Sequence, residues 1–292
     1  MTEKEIFKKI IKVEIYTRFL ADHFFAGRYS SSFKGRGIEF ANVRPYVFGD
    51  DVKTIDWNIT ARMNYPYVKE FVEERQLSIL FLVDLSPSML FGTGEKTKRE
   101  FVTEIVALLS WTAIRNNDKV GVAFFTDRIE KYIPPRKGRF HILRIIRELL
   151  YFAPSGEGSS FSSALEFASR VLKKRSVVFC ISDFLNAQNF EKNLRILRQK
   201  HDVIGIRILD PKEKILPDCG LCEIADTETG ETLILNLSSP AIKKTWEKYV
   251  KGDEERIKKT FARASCNYLK IDVGEDYIAE LLKFFKLRAK RR

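Results

Sequence analysis

Ser78-Ile79-Leu80-Phe81-Leu82-Val83-Asp84-Leu85-Ser86-Pro87-Ser88 constrains this chain more than any other stretch. Its unbroken apolar run has strand length and reads as a strand buried on both faces, as in a parallel sheet. The run ends at a carboxylate, hydroxyls follow at every second position, and Pro87 stops the ladder. In open α/β sheets ligands bind beyond the carboxyl ends of the strands, where Asp84, Ser86 and Ser88 fall. Hydroxyl and carboxylate oxygens suit Mg²⁺, Mn²⁺ or Ca²⁺ better than zinc. One carboxylate underneutralises a divalent ion, so a second acid is expected. Asp183 is the candidate, because it closes a second buried run, Ser176–Ser182. Between the two runs, Gly156-Glu157-Gly158-Ser159-Ser160 is a loop opening a helix and offers one more hydroxyl. The competing reading, in which Asp84 caps the next helix and the serines make a turn, leaves Asp183 without a role. A haloacid dehalogenase-type phosphatase needs a second carboxylate two residues after the first, and Ser86 stands there.

Strand-DxSxS, a loop hydroxyl and then strand-Asp resembles the metal-ion-dependent adhesion site of von Willebrand factor type A domains. The resemblance implies Asp84, Ser86, Ser88, Ser159 and Asp183 as metal ligands, with a partner's carboxylate filling an open position. The loop hydroxyl in that family is usually Thr. Here Ser159 aligns with it, and the adjacent Ser160 remains an alternative.

The remaining chain alternates helical and strand patterns after about Leu77, which predicts an α/β, doubly wound, mostly parallel sheet with right-handed crossovers. Residues 1–76 are expected to form an N-terminal helix (about Glu3 to Phe25) and a motif region. Residues 77–292 are expected to form the type A-like domain, with a hairpin insertion around 212–237. The motif region mixes glycines, charges and aromatics at irregular spacing, and only Tyr67–Glu74 alternates like a strand. Its series GRGIEF, VRPY, GDD, IDWN and VKEFVEER, followed directly by LVDLSPS, resembles the DUF58 family. The likeness continues through Lys98-Arg99-Glu100 and Ser182-Asp183-Phe184. It implies a type A fold and a partnership with a MoxR-type AAA+ ATPase, or with a client protein delivered to it. Arg36, Arg44, Asp50, Asp51, Asp56 and Trp57 are the candidate partner-binding residues of the block. The alternative is that the block is an internal clamp.

Composition narrows the function classes. No stretch approaches the ~20 apolar residues of a membrane span. The start lacks the basic and then apolar layout of a signal peptide, so a cytoplasmic location is expected. Four cysteines are too few for a disulfide framework, and Cys219-Gly220-Leu221-Cys222 has no second CxxC to complete a zinc site. A CxxC can also be a redox pair, but this one does not follow a strand and open a helix as a thioredoxin-like motif would, so two inert cysteines in a loop before a hairpin are expected. The net charge of +12 raises nucleic acid as a partner, but the basic residues are dispersed apart from the tail from Lys286. An acidic protein partner accounts for the charge as well. No Walker glycine loop occurs, so ATP hydrolysis would belong to the partner. The reading reached is a non-enzymatic, metal-dependent interaction protein. A hydrolase using the same site, with Glu157 as base and Ser159 or Ser160 as nucleophile, is the alternative, and a basic nucleic-acid binder is a second one.

Overall fold

The computed structural model describes residues 3–25, 38–73, 76–156, 158–185, 187–225 and 232–290. The chain divides into two compact units, one of Met1–Ser32 with Leu77–Arg292 and one of Phe33–Gln76.

The larger unit is built on a six-stranded sheet. Its strands are β3 (Ser78–Asp84), β4 (Lys119–Phe125), β5 (Ile129–Arg136), β6 (Val177–Ser182), β7 (Asp202–Leu209) and β10 (Asn267–Asp272), in the spatial order β10-β7-β6-β3-β4-β5. All neighbouring pairs are parallel except β4 with β5, the antiparallel edge. This is the doubly wound α/β architecture expected from the alternating pattern. Strand β3, the first of the six in the chain, lies inside the sheet, with β6 on one side and β4 on the other. That position explains its continuous apolar run, because both of its faces are covered.

Alternate residues of the strands feed two cores. Leu80, Leu82, Val178, Cys180 and Val203 pack beneath α5 (Phe161–Val171), α6 (Glu191–Lys200) and α8 (Pro240–Arg263), with Phe161, Leu194 and Phe261 at the centre. Ile79, Phe81 and Val83 point to the opposite face, where Phe81 stacks on Phe179 at 5.3 Å. Helix α3 (Lys98–Arg115) is buried along most of its length and packs against α1 (Glu3–Leu20) and α4 (Arg139–Tyr151). A Thr97–Glu100 capping box starts α3.

Sequence reading groups helix α1 with the motif region. It instead buries Ile10, Val13 and Leu20 within the larger unit and continues as a π-helical turn, Ala21–Phe25. The units meet at 76/77 and also at 32/33, and the helix falls in the larger one because an apolar stripe goes where it can be covered. The remaining elements of this unit are the short α7 (Pro211–Lys214), the antiparallel hairpin β8 (Leu221–Ala225) with β9 (Thr232–Asn236), and α9 (Tyr277–Lys290). The hairpin is a separate two-stranded sheet. Among the described residues no helix is long and apolar enough to cross a membrane.

The smaller unit holds β1 (Ile38–Pro45) antiparallel to β2 (Tyr67–Glu73), with the short α2 (Trp57–Met63) between them. Strand β1 falls where sequence reading places irregular chain. A register shift between Phe40 and Asn42 breaks the alternation that would have revealed it.

Packing requires a glycine at position 205 of the large sheet. A Cβ on Gly205 of β7 would lie inside van der Waals contact of the Phe261 ring. That ring is enclosed by Phe184, Phe190 and Tyr268, at centroid distances of 5.4, 5.9 and 5.5 Å, and has nowhere to retreat. Gly205→Ala is expected to destabilise the protein by about 1–3 kcal/mol through overpacking. Urea unfolding checks this, and an unchanged midpoint would show that the aromatic cluster yields.

Candidate functional site

Parallel pairing of β3 with β6, in register at Val83↔Ile181, brings Asp84 beside Ser182, with Asp183 next along the chain. Both carboxylates therefore stand at the same end of two central strands. Asp84 is fully buried and Asp183 is nearly so. The backbone N–H of Ser86 donates to Asp84 Oδ1 at 2.9 Å, closing a tight turn that leads into the short 3₁₀ turn Pro87–Leu90. The Ser86 and Ser88 hydroxyl oxygens lie 3.1 Å apart, and Ser88 donates to Asp183 Oδ2 at 2.8 Å.

The loop hydroxyl is that of Ser159, which donates to Asp84 Oδ2 at 2.8 Å. Ser160 instead pairs with Ser163 at 2.8 Å. The loop is pinned by Glu130, whose carboxylate accepts from the N–H groups of Ser155 (3.2 Å) and Gly156 (2.7 Å). The Ser160 N–H donates to the Thr126 carbonyl at 2.7 Å. Asp84, Ser86, Ser88, Ser159 and Asp183 are thus brought together in one hydrogen-bonded cluster. Glu157, the acid of the hydrolase alternative, lies outside the described residues.

Three further groups complete the cluster, and sequence reading gives none of them a role. Ser182 donates to Asp84 Oδ2 at 2.7 Å and accepts from the Phe184 N–H at 2.8 Å. Lys98, the first residue of α3, is wholly buried; its ammonium donates to Asp183 Oδ2 at 2.7 Å and to Glu213 Oε1 at 2.6 Å. Glu213 belongs to α7, whose capping box pairs it with Asp210. Asp210 in turn accepts from the Thr93 N–H and hydroxyl at 2.9 and 2.6 Å, tying the segment before α3 to α7. Lys98 falls within the Lys98-Arg99-Glu100 motif, but a lysine opening a helix ordinarily reads as solvated.

Burial, and then the charge of Asp183, push the Asp84 carboxyl up to about 6. Burial works against the Lys98 ammonium, but Asp183 and Glu213 outweigh it and raise its pKa above the ordinary lysine value. Glu213 is raised by burial, which exceeds the opposing pull of Lys98. The site is therefore a buried anionic pair with one internal cation.

The donor set is two carboxylates and three hydroxyls, with no nitrogen or sulfur, and it fits a hard divalent ion. Among the described residues no group of three or more His, Cys, Asp or Glu side chains is placed to hold a metal.

The candidate partner residues of the smaller unit behave differently. Arg44 grips Asp50 in a two-pronged pair, both bonds 2.7 Å, and this holds the Asp50 carboxyl down to about 2. Asp51 and Asp56 cap the turn at Val52–Thr54 and helix α2, respectively. These four residues serve the unit's own structure. Trp57 is 67% exposed and Phe48 fully exposed, so aromatic surface remains available there. Arg36 lies outside the described residues.

The chain is 27% identical over 256 residues to the uncharacterised protein Rv1480 of Mycobacterium tuberculosis, covering 87% of this chain and 80% of the relative. An uncharacterised protein of Mycobacterium avium matches at 27% over 158 residues, 53% of this chain and 93% of the relative. Among solved structures, an aerotolerance-related membrane protein from Bacteroides fragilis is similar at 16% identity and a TM-score of 0.48, over 74% of this chain and all of that one. BatB from Bacteroides thetaiotaomicron is similar at 14% identity and a TM-score of 0.46, over 73% of this chain and 99% of that one. The family description "Protein of unknown function DUF58" matches residues 42–256, a span holding the motif block from Asn42 onward and the whole Asp84–Asp183 cluster, and the chain belongs to that family.

Proposed function

We propose that this protein is a divalent-cation-dependent protein-binding module whose contact point is the Asp84–Asp183 cluster. The observation that carries this reading is the convergence of five hard oxygen donors, from two strand ends and one pinned loop, at the carboxyl edge of a parallel sheet. A divalent ion bound there supplies two positive charges and a coordination position for an outside carboxylate. Asp84 and Asp183 hold the anionic side of the cluster, Ser86, Ser88 and Ser159 offer neutral oxygens, and Lys98 limits the excess negative charge. Mg²⁺ is the ion the reading favours, with Mn²⁺ or Ca²⁺ as substitutes. The partner is a MoxR-type AAA+ ATPase or a client protein handed to it, in remodelling or maturation. Exposed Phe48 and Trp57 give the smaller unit a surface for the same assembly.

Catalysis by this cluster is not favoured. The ring bonds of His141 and His201 are to the Val120 carbonyl and the Ser176 N–H, so neither histidine pairs with Ser88 or Ser159. Co-chromatography of the purified chain with the MoxR-type ATPase of the same genome, in Mg²⁺ and in EDTA, tests the proposal. Binding at least about tenfold tighter in Mg²⁺ is expected, a difference of ~1.4 kcal/mol. A complex indifferent to EDTA would remove the ion from the interface, and no complex in either condition would remove the ATPase.

A further inference from the structure

The cysteines set aside in the sequence as inert prove to be placed together. Cys219 precedes β8 and Cys222 lies within it, and their sulfurs are 3.1 Å apart. Cys219 is exposed and Cys222 half-buried, so small molecules in solution reach the pair. The turn between them is held in shape. Gly220 adopts φ +73, a conformation glycine takes without strain, and its N–H donates to the Ser238 hydroxyl at 2.9 Å. The Gly220 carbonyl accepts from the Leu237 N–H at 2.8 Å. Both peptide groups of that residue are therefore anchored to the segment that follows β9.

The remaining thiols contrast with this pair. Cys180 is buried in β6, and burial raises its pKa well above the ordinary thiol value; burial pushes the Cys266 thiol up to about 12. Neither supplies much thiolate, the reactive form, at neutral pH. Cys219 is raised as well, but first by its hydrogen bond with Cys222, the group with which it would react.

We propose that Cys219 and Cys222 form a reversible dithiol–disulfide pair, the oxidation site of this chain, which reacts with small-molecule disulfides of the glutathione class. Closing the bridge requires the sulfurs to approach by about 1 Å, to the S–S length of ~2.0 Å. The Cys219 thiolate attacks one sulfur of the small disulfide and releases one small thiolate. The Cys222 thiolate then attacks the Cys219 sulfur of the mixed disulfide and releases the second. One protein disulfide forms, one small disulfide is reduced to two thiols, and the two thiol protons pass to the released thiolates. The bridge would stiffen the base of the hairpin and leave Lys98 and the oxygen cluster untouched. The inference is therefore independent of the proposed function.

The test is equilibration of the reduced full-length chain with oxidised and reduced glutathione, followed by acid quench, alkylation and peptide mass spectrometry. Expected is loss of alkylation at Cys219 and Cys222 together, with a mass lower by two hydrogens and no glutathione retained. Cys222→Ser should instead retain a glutathione adduct on Cys219. Because the fold pre-positions the thiols, the equilibrium constant for closure should exceed that of the same chain in urea by about tenfold or more. A stable glutathione adduct on the wild type, oxidation mapped to Cys180 or Cys266, or equal constants for folded and unfolded chain would each overturn the proposal.

Discussion

Lys98→Met is expected to lower the stability of the ion-free protein by about 3–5 kcal/mol, the cost of breaking a buried ion pair by removing one partner. Methionine retains most of the apolar stem, so packing changes little and the loss reports the charge. Asp183 and Glu213 are left without their shared cation, in surroundings where Asp183 is 1% exposed. Mg²⁺ should restore more stability to this variant than it adds to the wild type, because it returns positive charge beside Asp183. Urea unfolding in EDTA and in Mg²⁺ measures both quantities. A loss under about 1 kcal/mol would place the Lys98 contacts among solvated surface pairs and remove its role as the site's internal counter-ion.

Asp84→Asn is expected to act with opposite signs on the ion-free and ion-loaded protein. The Asp84 carboxyl rises from 3.8 to about 6 on folding, so the folded chain holds a proton that the unfolded chain has released. Stability of the ion-free wild type should therefore fall as pH rises from about 3.8 through about 6, and remain lower above that. The asparagine variant carries no such charge. It should lack this slope and be more stable at neutral pH in EDTA, by a few kcal/mol at most since each pKa unit is worth ~1.4 kcal/mol. The same substitution removes a carboxylate from the donor set, and the rise in melting temperature caused by Mg²⁺ should disappear. In the wild type that rise should weaken as pH is lowered through about 6, where the proton competes for Asp84. Melting curves across pH, with Mg²⁺ or EDTA, decide the matter. Retention of the full Mg²⁺ response by Asp84→Asn would sink the site.

The central strands and both carboxylates were legible in the sequence for one physical reason. A strand covered on two faces must be apolar throughout, so the first charge marks its end, and Asp84 and Asp183 mark β3 and β6. What sequence could not supply was side-chain direction. Ser159 and Ser160 are equivalent in composition, and only the helix start, which turns Ser160 toward Ser163, separates them. Lys98 and Glu213 meet across the fold from two helix starts, positions where charged residues are ordinarily solvated. The clamp and surface readings of the motif block were both open, and the geometry divides them by residue. Arg44, Asp50, Asp51 and Asp56 bond internally while Trp57 faces outward. The redox reading of the CxxC was set aside for want of a strand-to-helix context, whereas closeness of the two sulfurs depends on the backbone turn at Gly220.

The spatial strand order also has a consequence for the order in which the cluster comes into existence. Ser88 waits 95 residues for Asp183, Asp84 waits 75 for Ser159, and Lys98 waits 115 for Glu213. During synthesis β3 emerges long before β6, one of its two neighbours, and contacts of such sequence separation form late because the loop must close first. A nascent chain ending before Asp183 contains Asp84 and its serines but not the assembled cluster. Ion affinity at this site would thus appear only once β6 has paired with β3, which makes it a timer for closure of the middle of the sheet.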